Sequence, residues 1–242
     1  MTKGTKRSLE LYFAPIVSIN NNKHIAYKTQ VRINDDVLGI IMPDTFLHIA
    51  DKTSQCKQVF SWTIEESIIA MKKLAFRYID FEYFSIYGPK KVFEDEKIID
   101  EFILKVNENG ILFENFAFEV YLDCFLEKDS KALVNISKLR EKGVKIILID
   151  FASENFPVSK ISFMPVDILS LDKFLIDCIN GDTLEQEYAR NIVNMAANFG
   201  KQVLALNINT QKDYDKICDF VDLGSGKHFG KFIKDRYIRR KS

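Results

Sequence analysis

Glu119 and Asp150 stand 31 positions apart, each at the end of an apolar run that reads as a strand. On consecutive strands of one sheet, two such carboxylates could ligate a divalent cation or share general acid and base work. The plainer alternative is equally concrete: Asp150 caps the element after its strand, and Glu119 pairs with a lysine. The histidines His24, His48 and His228 have no HxH or HExxH spacing, so they signal neither metal binding nor catalysis. The cysteines Cys56, Cys124, Cys178 and Cys218 form no CxxC pair and read as buried free thiols of a reducing compartment. There is no GxGxxG and no GxxxxGKS, which removes the main support for dinucleotide and P-loop chemistry.

The elements that must position the two acids follow from periodicity. Leu9–Val17 and Ile25–Ile33 read as strands joined at Asn20-Asn21-Asn22, hence as an antiparallel hairpin. Pro43–Ala50 reads as a helix with proline in its first turn. Gln55–Tyr78 is a long amphipathic helix with Val59, Trp62, Ile68, Ile69 and Leu74 at helical spacing. Strands are then expected at Tyr83–Tyr87, Phe116–Leu122, Val144–Phe151, Val166–Leu171, Val203–Ile208 and Val221–Gly224. Between them fall helices at Glu96–Asn107, Asp129–Lys142, near Phe156, Glu185–Asn198 and Gln211–Phe220, with a basic helix from Phe229 to Arg240 at the end.

Strand–helix alternation implies a largely parallel sheet with helices outside it. About eight strands in 242 residues favour a closed α/β barrel, (β/α)8-like with an antiparallel first strand, over an open sheet. No Pro/Ser-rich linker divides the chain, so residues 1–242 are expected to form one domain, with a barrel core over 8–230 and a basic helix and tail over 229–242. With 34 Lys plus Arg against 34 Asp plus Glu, the chain is neutral, which argues against nucleic acid as a partner. The start MTKGTKRSLELYF has no apolar run of signal-peptide length, and no membrane span follows, so the expected location is cytoplasmic. Lys231, Lys234, Arg236, Arg239, Arg240 and Lys241 read as a solvated basic face. In such a barrel, functional groups stand at the C-terminal strand ends: Lys28 to Arg32, Tyr87, Glu119, Ile149-Asp150, Ser170, Leu206 and Ser225.

Six segments, in order, resemble one family over nearly the whole chain. Phe13-Ala14-Pro15-Ile16-Val17 is similar to the opening QPI-type strand of EAL domains, the barrel phosphodiesterases of cyclic di-GMP. Lys28-Thr29-Gln30-Val31-Arg32 stands at the Glu-Ala-Leu-x-Arg motif, and Phe118-Glu119-Val120 at the strand whose glutamate is a metal ligand. Ile149-Asp150-Phe151-Ala152 resembles Asp-Asp-Phe-Gly, and Pro165–Asp172 resembles Pro-Val-Asp-x-Leu-Lys-Ile-Asp. Val203–Thr210 answers to Val-Ile-Ala-Glu-Gly-Val-Glu-Thr.

The resemblance implies two divalent cations held by acids and an asparagine, and a water they activate. The departures fall on those positions. The motif glutamate is Lys28, the asparagine Tyr87 and the first aspartate Ile149; only Glu119 and Asp150 remain as a vestigial site. The water-orienting lysine is Ser170, the later glutamate Leu206, the glutamine near the last strand Ser225 and the base-contacting glutamine Ala14. Two carboxylates facing an ammonium do not supply the oxygen ligands that two-metal hydrolysis needs. The resemblance therefore implies a degenerate, catalytically inactive EAL-like domain without Mg or Mn, acting as a protein-binding or regulatory module in bacterial signalling. The alternative is a metal-independent cyclic di-GMP receptor, with Arg32 as the phosphate contact; an active phosphodiesterase ranks third. A protein partner and a homodimer are further expectations. Lys28 either pairs with Glu119 and Asp150 in place of the metals or snorkels to solvent.

Overall fold

The chain closes on itself through a strand that runs against the rest. The computed structural model describes residues 7–153 and 156–240. Strand β1 (Arg7–Ser18) pairs antiparallel with β2 (Lys23–Asp35), and Asn22, at φ +54°, supplies the left-handed residue of the turn. β2 also carries β3 (Gly39–Ile41), a short antiparallel strand that the apolar pattern did not signal. From β2 the order is parallel through β4 (Tyr83–Tyr87), β5 (Phe116–Val120), β6 (Lys145–Phe151), β7 (Ile168–Leu171), β8 (Gln202–Ala205) and β9 (Leu223–Gly224). β9 then pairs antiparallel with β1, closing an eight-strand barrel with β3 outside the ring. The expected barrel and its antiparallel first strand are both present.

Helices α1 (Pro43–Asp51), α2 (Gln55–Phe76), α3 (Lys90–Phe93), α4 (Glu96–Asn109), α5 (Lys131–Glu141), α6 (Lys173–Ile179), α7 (Thr183–Asn198) and α8 (Gln211–Ile217) complete the fold. Their ends follow local chemistry. Asp182 and Glu185 form a capping box on α7, Asp95 caps α4, and Gly110 ends α4 at φ +63°. The stripe that α2 buries is Phe60, Ile64, Ile68, Met71 and Leu74, one position away from part of the expected one; Ile69 is exposed. Phe60 and Phe93 pack on Phe118 of β5, and this aromatic layer joins helices to barrel.

Three segments differ from the sequence expectation. Residues 229–240 contain no α-helix; the chain runs extended, with a single 3-10 turn at Asp235–Tyr237. Ile233 exchanges backbone hydrogen bonds of 2.8 and 2.9 Å with Phe13, and Gly230 lies so close to Pro15 that a Cβ would meet its ring at 2.8 Å. Backbone groups committed to β1 cannot also form i→i−4 bonds, so docking overrides the helical pattern. Of the basic residues, Lys234 binds Glu10 at 2.9 Å, and Lys241 lies outside the described residues. β8 stops at Ala205 rather than Ile208, because Asn207 turns to φ +61°. The element near Phe156 is a 3-10 segment, Val158–Phe163. Among the described residues, no helix is long and apolar enough to cross a membrane.

Candidate functional site

Alternation along a strand turns every second side chain into the barrel. Ile16, Ala26, Tyr83, Ala117, Ile147, Ile168, Leu204 and Leu223 fill its lower interior. One step further along the parallel strands come Lys28, Ser85, Glu119, Ile149, Ser170 and Leu206, of which all but Ser85 line the cavity above. Lys28 lies beside Ser85 in the β2–β4 ladder, and Tyr87 beside Glu119 in the β4–β5 ladder. Sheet register thus gathers residues that are 28 to 206 in sequence.

At the centre, Lys28 Nζ donates to both oxygens of Glu119, and Ser85 Oγ donates to Oε1. The Glu119 side chain is only 6% exposed and that of Lys28 21%. A carboxylate so far from water requires a paired cation and hydrogen bonds, and both are here. Lys28 does not snorkel outward. Nor does it take both acids, because among the described residues Asp150 forms no ion pair. Asp150 sits at φ +57° where the β6–β7 register shifts between Leu148 and Phe151, and the bulge carries it to the exposed rim. Partial burial and the nearby Asp172 raise its pKa.

Tyr87 bridges from the rim to α1. Its hydroxyl donates to Asp51 Oδ2 at 2.7 Å, and its ring meets that of Tyr121 edge-on, with centroids 5.9 Å apart. Burial, then the bond to Asp51, holds its phenol neutral far above the ordinary pKa. Burial and the Asp150 charge push Tyr121 up to about 12. Together with α1, these rings border a cavity of about 1050 Å³ over the Lys28–Glu119 pair.

Lys28, Tyr87, Glu119, Ile149, Asp150, Ser170 and Leu206 all line that cavity. Ser225 and Arg32 are not among its lining residues. Ser225 is buried and donates to the Pro15 carbonyl at 2.8 Å, holding the last strand to the first. The Arg32 guanidinium lies 4.0 Å over the Tyr12 ring, and its Nε donates to Gln30 at 2.9 Å. Sequence reading missed Ser85, Asp51 and Tyr121. Ser85 had a signal, since it stands two residues before Tyr87 on the same strand face. Asp51 arrives on a separate helix, and no spacing rule reaches it.

Divalent cations of the kind the resemblance implies take about six oxygen ligands each. Here both Glu119 oxygens are engaged by an ammonium, and the next position on β6 is Ile149. Among the described residues, no three His, Cys, Asp or Glu side chains are grouped to hold a metal. The donor set does not fit a two-cation centre.

Comparison with known proteins agrees with the architecture. The cyclic di-GMP phosphodiesterase NbdA of Pseudomonas aeruginosa is 21% identical over 202 residues, 84% of this chain and 26% of that protein. The probable cyclic di-GMP phosphodiesterase PdeB of Escherichia coli is 24% identical over 235 residues, 96% of this chain and 44% of that protein. An uncharacterized protein of Azorhizobium caulinodans is 22% identical, and the chain spans 28% of its length, so these relatives are much longer. The solved complex of the PaMucR phosphodiesterase with c-di-GMP superposes with a TM-score of 0.83 at 20% identity, covering 93% of this chain and 92% of that one. The Xanthomonas citri FimX EAL domain in complex with c-diGMP gives 0.83 at 15% identity, covering 96% and 91%. The EAL domain family matches residues 3–231, and with the closed barrel and its antiparallel first strand this chain belongs to the EAL domain family.

Proposed function

We propose that this chain is a non-hydrolytic EAL domain that works as a protein-binding or regulatory module in cyclic di-GMP-related signalling. The observation that carries the reading is the Lys28 ammonium seated on both oxygens of Glu119. Metal-dependent phosphodiester hydrolysis needs cations to polarise the phosphoryl oxygens and to generate hydroxide from water. A lysine can neutralise one carboxylate, but it has no open coordination position for water or phosphate. Ile149 and Tyr87 add an apolar group and a committed phenol where the family resemblance implies further ligands. A metal-independent receptor for cyclic di-GMP is the second reading, favoured by the nucleotide complexes of similar structures.

The test is incubation with cyclic di-GMP and millimolar Mg²⁺ or Mn²⁺, followed by chromatography for the linear product. No product above the no-enzyme control is expected. Turnover that disappears in Asp150→Asn would overturn the proposal.

A further inference from the structure

We propose that the surface at the C-terminal end of α2 docks on an anionic lipid bilayer, with Phe76 and Tyr78 entering the headgroup boundary and Lys and Arg side chains on the phosphates. The proposal is independent of the barrel mouth and of whether the chain hydrolyses a nucleotide. Residues 72–80 and 231–240 carry eight Lys and Arg against two acids, Asp80 and Asp235, in a chain that is neutral as a whole. The two segments form one surface. Arg77 donates to the carbonyls of Asp235 and Ile238 at 2.9 and 3.2 Å, Lys73 pairs with Asp235 at 2.9 Å, and Tyr78 and Arg240 border one depression. Among the described residues, only Lys73 and Lys234 of these eight pair with a carboxylate. Arg77 and Arg239 are held by backbone carbonyls and Lys72 by the Asn109 amide oxygen, so their charge is oriented but not neutralised.

Exposed apolar groups stand in the same place, and charge alone does not account for them. Phe76 is 85% and Tyr78 79% exposed, and Tyr237, between the two carbonyls that Arg77 binds, is exposed as well. Ile69, Lys72, Lys73 and Phe76 follow the i, i+3, i+4, i+7 spacing and are all exposed, so one stripe of α2 turned away from the core mixes apolar and cationic groups. Just past the end of α2, Tyr78 has φ +55°, a left-handed position where glycine is usual and a bulky residue is strained. Single exposed apolar residues are ordinary, but several together, rimmed by polar groups, mark an interaction surface. Cations around projecting rings match an anionic bilayer: Lys and Arg heads reach phosphate, and aromatic rings settle at the headgroup boundary. Nucleic acid is instead held in a basic groove with its bases stacked. No described helix is long and apolar enough to cross a membrane, so the contact proposed is peripheral.

Vesicle flotation tests this. The probes are vesicles of equal parts phosphatidylglycerol and phosphatidylcholine, vesicles of phosphatidylcholine alone, and a single-stranded RNA as competitor. We expect binding to the anionic vesicles, weaker as salt is raised, and none to phosphatidylcholine alone. Each basic residue near such a surface contributes about fivefold, so Arg236→Gln/Arg240→Gln, at two exposed side chains, should weaken binding about thirtyfold. Phe76→Ser removes the apolar insert and should weaken it about tenfold. Lys97→Gln/Lys131→Gln is the control. It removes the same charge from exposed lysines beside the other end of α2, about 30 Å away along the helix, and should change affinity by less than about twofold. No binding to the anionic vesicles, equal binding to both kinds of vesicle, an equal loss in the lysine control, or full affinity in Phe76→Ser would overturn the proposal. RNA that displaces the protein from the vesicles would also overturn it, and would assign the face to nucleic acid.

Discussion

Replacing Lys28 by methionine is expected to lower stability by about 3 kcal/mol, roughly 6–12 °C in Tm for a chain of this length. The side chains are similar in length, so the change removes charge rather than volume. What remains is the Glu119 carboxylate, only 6% exposed, with Ser85 as its one remaining hydrogen-bond partner among the described residues. Removing one member of a buried ion pair is much more costly than the pair is worth, because the survivor stays desolvated. The second half of the cycle follows. Lys28→Met/Glu119→Leu removes both charges and is expected to recover most of the lost stability. Urea denaturation of the three variants measures each term. A Lys28→Met variant within 1 kcal/mol of wild type would mean that the pair does not organise the barrel mouth.

The other large effect lies on the outer face of the same strand. Phe118 is fully buried and packs against Phe60, Phe93 and Phe102, with ring centroids 5.4, 5.8 and 5.1 Å away. Phe118→Ala opens a hole between β5 and its helices, and such truncations cost about 3–5 kcal/mol. That is a large part of the roughly 5–15 kcal/mol by which domains are stable. Because Phe118 adjoins Glu119, its loss should also loosen the Lys28–Glu119 geometry. Chemical denaturation of the variant is the measurement. A loss below about 1 kcal/mol would show that the helices close over the gap.

Short apolar runs bounded by turn residues mark the site-bearing strands. Tyr83–Tyr87 is found with the expected limits, and Phe116 and Phe151 begin and end their strands as the apolar runs indicate. Consequently Lys28, Tyr87, Glu119, Ile149, Ser170 and Leu206 reach one cavity, as their strand-end positions imply. What the sequence left unread depends on tertiary contacts. The Phe229–Arg240 segment has helical composition, but its backbone bonds to Phe13 decide its shape. Asp150 reads as a partner for Lys28, yet a left-handed backbone at that residue carries it to the rim, away from the pair. Asp51 reaches Tyr87 only because α1 folds over the barrel mouth, a contact between elements that no local pattern encodes.

The most direct test of the central claim is a titration of Mn²⁺ into the purified protein with cyclic di-GMP present, followed by calorimetry or by the loss of the free-ion paramagnetic signal. With the Lys28 ammonium on both Glu119 oxygens, the account predicts no stoichiometric Mn²⁺ binding up to millimolar concentrations. One or two Mn²⁺ ions bound per chain, and lost in Asp150→Asn, would contradict it.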